Sequence, residues 1–121
     1  MKWNRRSLLK ACEELIQRPD FRIKISSMDA RDVTGHVTYL WDEKTSRHRD
    51  IRVTLDPTQG GLIESLLHEC LHVVLTPVVH LNFNTRLEED IVQRLERELW
   101  VKAMKPEDVR VWRWLIKEKL T

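Results

Sequence analysis

Cysteine is scarce in this chain: Cys12 and Cys70 are its only two thiols among 121 residues. A disulfide framework needs more than that, so two reduced thiols and an intracellular setting are expected. Long apolar runs are also missing. None approaches the roughly 20 residues that cross a bilayer, and the opening Met1-Lys2-Trp3-Asn4-Arg5-Arg6 leads into a charged amphipathic segment, not a signal-peptide core. The expectation is a cytoplasmic protein with no membrane partner. Nor is there a block of one charge sign. The 21 basic and 19 acidic side chains are interspersed and leave a net charge of +2, which argues against nucleic acid as a partner. No internal repeat and no low-complexity linker interrupts the chain.

What the chain does contain suits a folded domain. Hydrophobic residues make up 41% and charged residues 33%, and the length fits one core, so residues 1–121 are expected to form a single domain. Leu8, Leu9, Cys12, Leu15 and Ile16 recur at helical spacing, predicting a helix over Ser7–Gln17 that Ser7 caps and Arg18-Pro19-Asp20 ends. Apolar and polar residues alternate over Phe21–Ser26, Gly35–Trp41 and Arg49–Leu55, predicting three strands in a small antiparallel sheet. Asp42-Glu43-Lys44-Thr45-Ser46 joins the second to the third as a hairpin.

After the breaker Asp56-Pro57-Thr58-Gln59-Gly60-Gly61, an apolar helix is expected over Leu62–Leu75, stopped by Thr76-Pro77. A long helix over Arg86–Ala103 follows, with Asn84 or Thr85 as its cap. Pro106 opens a last helix whose apolar face carries Val109, Trp112, Leu115 and Ile116. The fold class is α+β: a three-stranded sheet packed against an N-terminal helix, a central helix and two C-terminal helices.

The central helix carries His68-Glu69-Cys70-Leu71-His72. Residues four apart on a helix lie one above the other, so His68 and His72 turn their imidazoles to one side and can share a Zn²⁺ ion. Glu69, about 100° around the helix, is placed to act as general base on a water at the metal without ligating it. Cys70, about 200° from both histidines, belongs to the core. A catalytic zinc needs a third protein ligand and one open position. Downstream, Glu88, Glu89 and His80 are the candidates. Helix phase puts Glu88 inside the apolar stripe of its helix and Glu89 near the stripe's polar edge, so Glu88 leads and Glu89 is the alternative. His80 lacks the Gly turn and spacing of three-histidine sites and is expected at the rim.

The motif, followed by Leu87-Glu88-Glu89-Asp90 on the next helix, resembles the gluzincin zinc metallopeptidases, the branch of thermolysin. It is especially similar to the small single-domain minigluzincins and to phage or bacterial SprT-like relatives. The resemblance covers residues 49–99. It implies a peptidase whose zinc is held by His68, His72 and Glu88, with Glu69 as base and Arg49–Leu55 as the strand lining the substrate cleft. Three departures stand out. No Asn precedes the helix Glu, the gap between motif and third ligand is short, and no Tyr or His is evident for the oxyanion.

Two further readings belong to other classes. In one, a zinc-containing module binds a protein partner through Trp112, Arg113 and Trp114 of the last helix. In the other, Arg5, Arg6, Arg110, Arg113, Lys117 and Lys119 gather into a basic patch for nucleic acid.

Overall fold

The computed structural model describes residues 4–27, 35–58, 60–79 and 85–121. In chain order its elements are α1 (Arg5–Ile16), β1 (Phe21–Ile25), β2 (Gly35–Asp42), β3 (Arg47–Leu55), α2 (Leu62–Val79), α3 (Thr85–Lys102) and α4 (Pro106–Lys119). The α+β class is as expected. Among the described residues, no helix is long and apolar enough to cross a membrane.

Helix α1 begins earlier than its apolar stripe suggests, because Asn4 is the cap. The Asn4 side-chain oxygen accepts the Ser7 N–H at 2.8 Å, and Ser7 Oγ accepts the Asn4 N–H at 2.9 Å. Ser7 is thus the reciprocal partner two residues inside the helix, not the cap itself. The buried face is the one read from spacing: Leu8, Leu9, Cys12, Leu15 and Ile16. Helix α2 also differs from expectation, running through Pro77 to Val79. The donor that proline lacks falls in the last turns, where it removes one rung of the ladder without ending it. Asn84 and His80 lie outside the described residues, and Thr85 is the first residue of α3.

The sheet is mixed, not antiparallel. Its order is β1-β3-β2, with β3 central, antiparallel to β2 and parallel to β1. Alternation reports which face of a strand is buried and says nothing about direction. Only β2 and β3, joined by four residues, are forced to run antiparallel. Asp42 closes that turn by accepting the N–H of Lys44 at 3.0 Å, and Ser46 takes the left-handed conformation at φ 52°. β1 is far enough from β3 in sequence to pair on its other side. The outer edge of β1 is covered by Leu120 and Thr121, whose backbone N–H donates to Ile23 O at 3.0 Å. Among the described residues the outer edge of β2 has no strand beside it.

One face of the sheet, with Phe21, Ile23, Ile51, Val53 and Leu55, is buried under the helices, while Arg22, Lys24 and Arg52 on the other face are exposed. Helix α2 lies at the centre, against α1, α3 and the β2–β3 pair. That position explains its near-continuous apolar sequence: Ile63, Leu66, Leu67, Cys70, Leu71 and Val73 are all buried. Cys12 and Cys70 are buried free thiols, and burial pushes both far up from the usual thiol range, so neither is a thiolate.

Helix α4 closes the core with Trp112, fully buried, whose indole N–H donates to Glu13 at 3.0 Å. At its start, Asp108 accepts the backbone N–H of Lys105 at 2.9 Å and two guanidinium bonds from Arg6, at 3.0 and 3.1 Å. These bonds, led by Arg6, hold the Asp108 carboxyl below the usual range. A depressed folded value means that the contribution is complete above the unfolded Asp value of about 3.9 and is lost as pH falls through the folded one. We expect Asp108→Asn to cost about 1–3 kcal/mol at pH 7. In urea denaturation series the gap between variant and parent should narrow steadily as pH drops into the carboxylate range.

Candidate metal centre

Beyond Glu64 in its first turn, the α2 helix divides into a polar sector of about 100°, holding His68, His72, Ser65 and Glu69, and an apolar remainder. The apolar part is fixed against the sheet and α1, so the polar sector is turned toward α3. There the two imidazoles converge. His68 Nε2 and His72 Nε2 are 3.2 Å apart, with ring centroids 4.9 Å apart. Glu89 faces both: one carboxylate oxygen is 2.9 Å from His68 Nε2, the other 2.9 Å from His72 Nε2.

His68, His72 and Glu89 therefore form a group that could hold a metal ion. Tetrahedral coordination with bonds near 2.0–2.1 Å separates neighbouring ligand atoms by about 3.3–3.4 Å. The 3.2 Å spacing of the two nitrogens fits that separation. Two imidazole nitrogens and one carboxylate also make a ligand set suited to zinc.

The other nitrogen of each ring is also engaged. His68 Nδ1 lies 2.8 Å from Glu96 and His72 Nδ1 lies 3.1 Å from Glu88. A carboxylate accepts, so Glu96 and Glu88 favour a proton on each Nδ1 and Glu89 faces each Nε2; with a metal between them, the Nε2 atoms are the nitrogens placed to ligate it. Burial opposes charge on His68, but the bond to Glu96 and the nearby Glu89 and Glu69 outweigh it and raise its pKa. Two lone pairs and a carboxylate brought together here call for a cation, either protons or a metal.

Of the two candidate third ligands, the geometry brings Glu89, the alternative, to the two Nε2 atoms. Helix phase correctly makes Glu88 the more buried acid: its side chain is 17% exposed, against 42% for Glu89. The carboxylate on the buried face is met by the Nδ1–H of His72, however, and it is Glu89 that stands between the two Nε2 atoms. Glu96 escaped the sequence reading altogether. Seven residues after Glu89, it returns to nearly the same helix face, and that spacing was the available signal.

Glu69 is 6% exposed, and its Oε2 is buried without a hydrogen-bond partner among the described residues. Burial raises its pKa, against the opposing influence of His68 and His72. The carboxylate is packed beside Gly35 on β2, where an added Cβ would come within 3.1 Å of Thr54 O and 3.2 Å of Glu69 Cγ. The missing side chain at Gly35 is therefore what lets the sheet edge approach the motif. The strand beside Glu69 is β2. β3, to which the family resemblance assigned the cleft, is central, with both its edges already paired. His36, next to Gly35 and exposed, is near enough for its charge to act on Glu69. Compared with known protein families, curated proteins and solved structures, the chain matches none.

Among the described residues, three of the six terminal cations are engaged: Lys119 donates to Arg18 O at 2.8 Å, and the other two are arginines of α1. Arg5 is paired with Glu98 at 2.7 Å and Arg6 with Asp108. On α4, Trp112 is in the core and Trp114 is 58% exposed.

The geometry ranks the acids by effect on metal affinity. Glu89→Ala should lose more zinc affinity than Glu88→Gln or Glu96→Gln, each of which should cost about 10–100-fold through loss of imidazole orientation. Competition titration against a chromophoric chelator would measure all three, and equal losses for Glu88→Gln and Glu89→Ala would reverse the ranking.

Proposed function

We propose that the chain is a zinc-dependent metallopeptidase in which His68, His72 and Glu89 hold the ion and Glu69 is the general base. The observation that carries this reading is the pairing of a converging Nε2–Nε2–carboxylate group with a buried carboxylate oxygen, without a hydrogen-bond partner among the described residues, on the adjacent helical position. Zinc bound there would supply Lewis acidity, lowering the pKa of water and polarising a peptide carbonyl.

The chain's own residues supply the rest. Glu96 and Glu88 keep the protons of His68 and His72 on Nδ1, so both Nε2 atoms stay available as ligands. Glu69 accepts a proton from the attacking water and returns it to the leaving amide nitrogen. Its buried setting favours this exchange, because an elevated carboxyl pKa brings donor and acceptor roles closer to the working pH. An extended peptide can add to the outer edge of β2, which has no strand beside it among the described residues and begins at Gly35 beside Glu69. The substrate class is accordingly protein or peptide.

A second reading, a zinc module that binds a protein without cleaving it, draws on the exposed Trp114 and Val111 of α4. The two readings separate on one substitution. Glu69→Gln should retain stoichiometric zinc while peptide hydrolysis falls by at least about 100-fold, in the range of a lost general base. A zinc-loaded parent protein that cleaves no peptide in a mixed library, or a Glu69→Gln variant with undiminished turnover, would overturn the peptidase mechanism.

A further inference from the structure

The face of the sheet turned away from the helices is built almost entirely of hydrogen-bond donors. The parallel register of β1 and β3 sets Arg22 beside Arg52 and Lys24 beside Thr54. The antiparallel register of β2 sets Thr38 beside Arg52 and His36 beside Thr54. Two rows therefore cross the sheet, Arg22–Arg52–Thr38 and Lys24–Thr54–His36. They lie about 6.6 Å apart along strands spaced about 4.8 Å.

These six side chains line a shallow concavity of about 470 Å³, and no Asp or Glu lines it among the described residues. Asp50, farther along β3, borders a separate depression with Arg52. Like charges directly opposite on neighbouring strands are destabilising, yet Arg22 and Arg52 are register partners. Arg22 is held in place by its guanidinium bond to Pro19 O at 2.8 Å. Arg52 and Lys24 are exposed and have no hydrogen bond or ion pair among the described residues.

We propose that this face binds the phosphodiester backbone of single-stranded nucleic acid. Charge complementarity selects a polyanion: cations repeated in two rows, with hydroxyl and imidazole donors between them, fit successive phosphates better than one isolated anion. The shallow, sheet-floored form of the surface selects a single strand. Among the described residues no helix or ribbon projects from it to enter a duplex groove, while a sheet face can hold splayed nucleotides, with guanidinium planes and the His36 ring available for stacking. The site lies on the opposite face of the sheet from the metal centre, His36 being its member nearest Glu69, and does not depend on the peptidase reading.

The test is fluorescence anisotropy of a labelled oligothymidylate titrated with the full chain. Three phosphate-contacting cations imply a log–log salt slope near −2, hence about 20-fold weaker binding at 200 mM than at 50 mM salt. Arg52→Gln and Lys24→Gln should each weaken binding and flatten that slope by about 0.7. Lys102→Gln, which removes an equal charge from α3, should leave binding unchanged, as should added chelator. Absence of binding at 50 mM salt, a double Lys24→Gln/Arg52→Gln variant that binds like the parent, or preference for a duplex of equal length would each overturn the proposal.

Discussion

The candidate site depends on one constraint: α2 and α3 pack so that two imidazoles and one carboxylate converge on a single point. Each group alone is ordinary. Brought within 3.2 Å and 2.9 Å of one another, they form an arrangement that is electrostatically costly without a cation. The apolar side of α2 enforces it. Leu66, Leu67, Cys70 and Leu71 are fully buried, so the helix cannot rotate to relieve the crowding without exposing its core face. Glu96 and Glu88 complete the constraint by engaging the outer nitrogen of each ring, so that α3 provides both the facing carboxylate and the supports of the two imidazoles.

Glu69 is governed by a different physical balance. It lies one residue from the first histidine, yet the sheet edge covers it, and the absence of a side chain at Gly35 permits that approach. Burial disfavours its charge while the two histidines favour it. A carboxyl held between those tendencies can both take and release a proton. The strand that packs beside Glu69 is also the one whose outer edge has no strand beside it among the described residues.

The mixed sheet has consequences on both sides. On the inner side it places Phe21, Ile23, Ile51 and Val53 against the helices as continuous apolar cover. On the outer side the parallel pairing of β1 with β3 brings Arg22 level with Arg52. In an all-antiparallel meander, where β2 rather than β3 is the neighbour of β1, those two arginines would not be adjacent. The basic face is thus a product of topology more than of composition, which is why a chain of near-balanced charge can carry it.

Local periodicity determined much of this protein. The helical recurrence of Leu8 to Ile16, the alternation in the three strands and the four-residue interval between His68 and His72 each depend on geometry repeated over a few residues, and the structure contains all of them. The inward position of Glu88 was legible for the same reason. Its partner was not, because helix phase reports burial and not what a buried carboxylate meets. The exchange of roles between Glu88 and Glu89, the part played by Glu96, the direction of β1, the closeness of Gly35 to Glu69 and the pairing of Arg6 with Asp108 all join residues distant in sequence. Only the packing of whole elements against one another decides such contacts, since their energies depend on three-dimensional neighbours that no local pattern encodes.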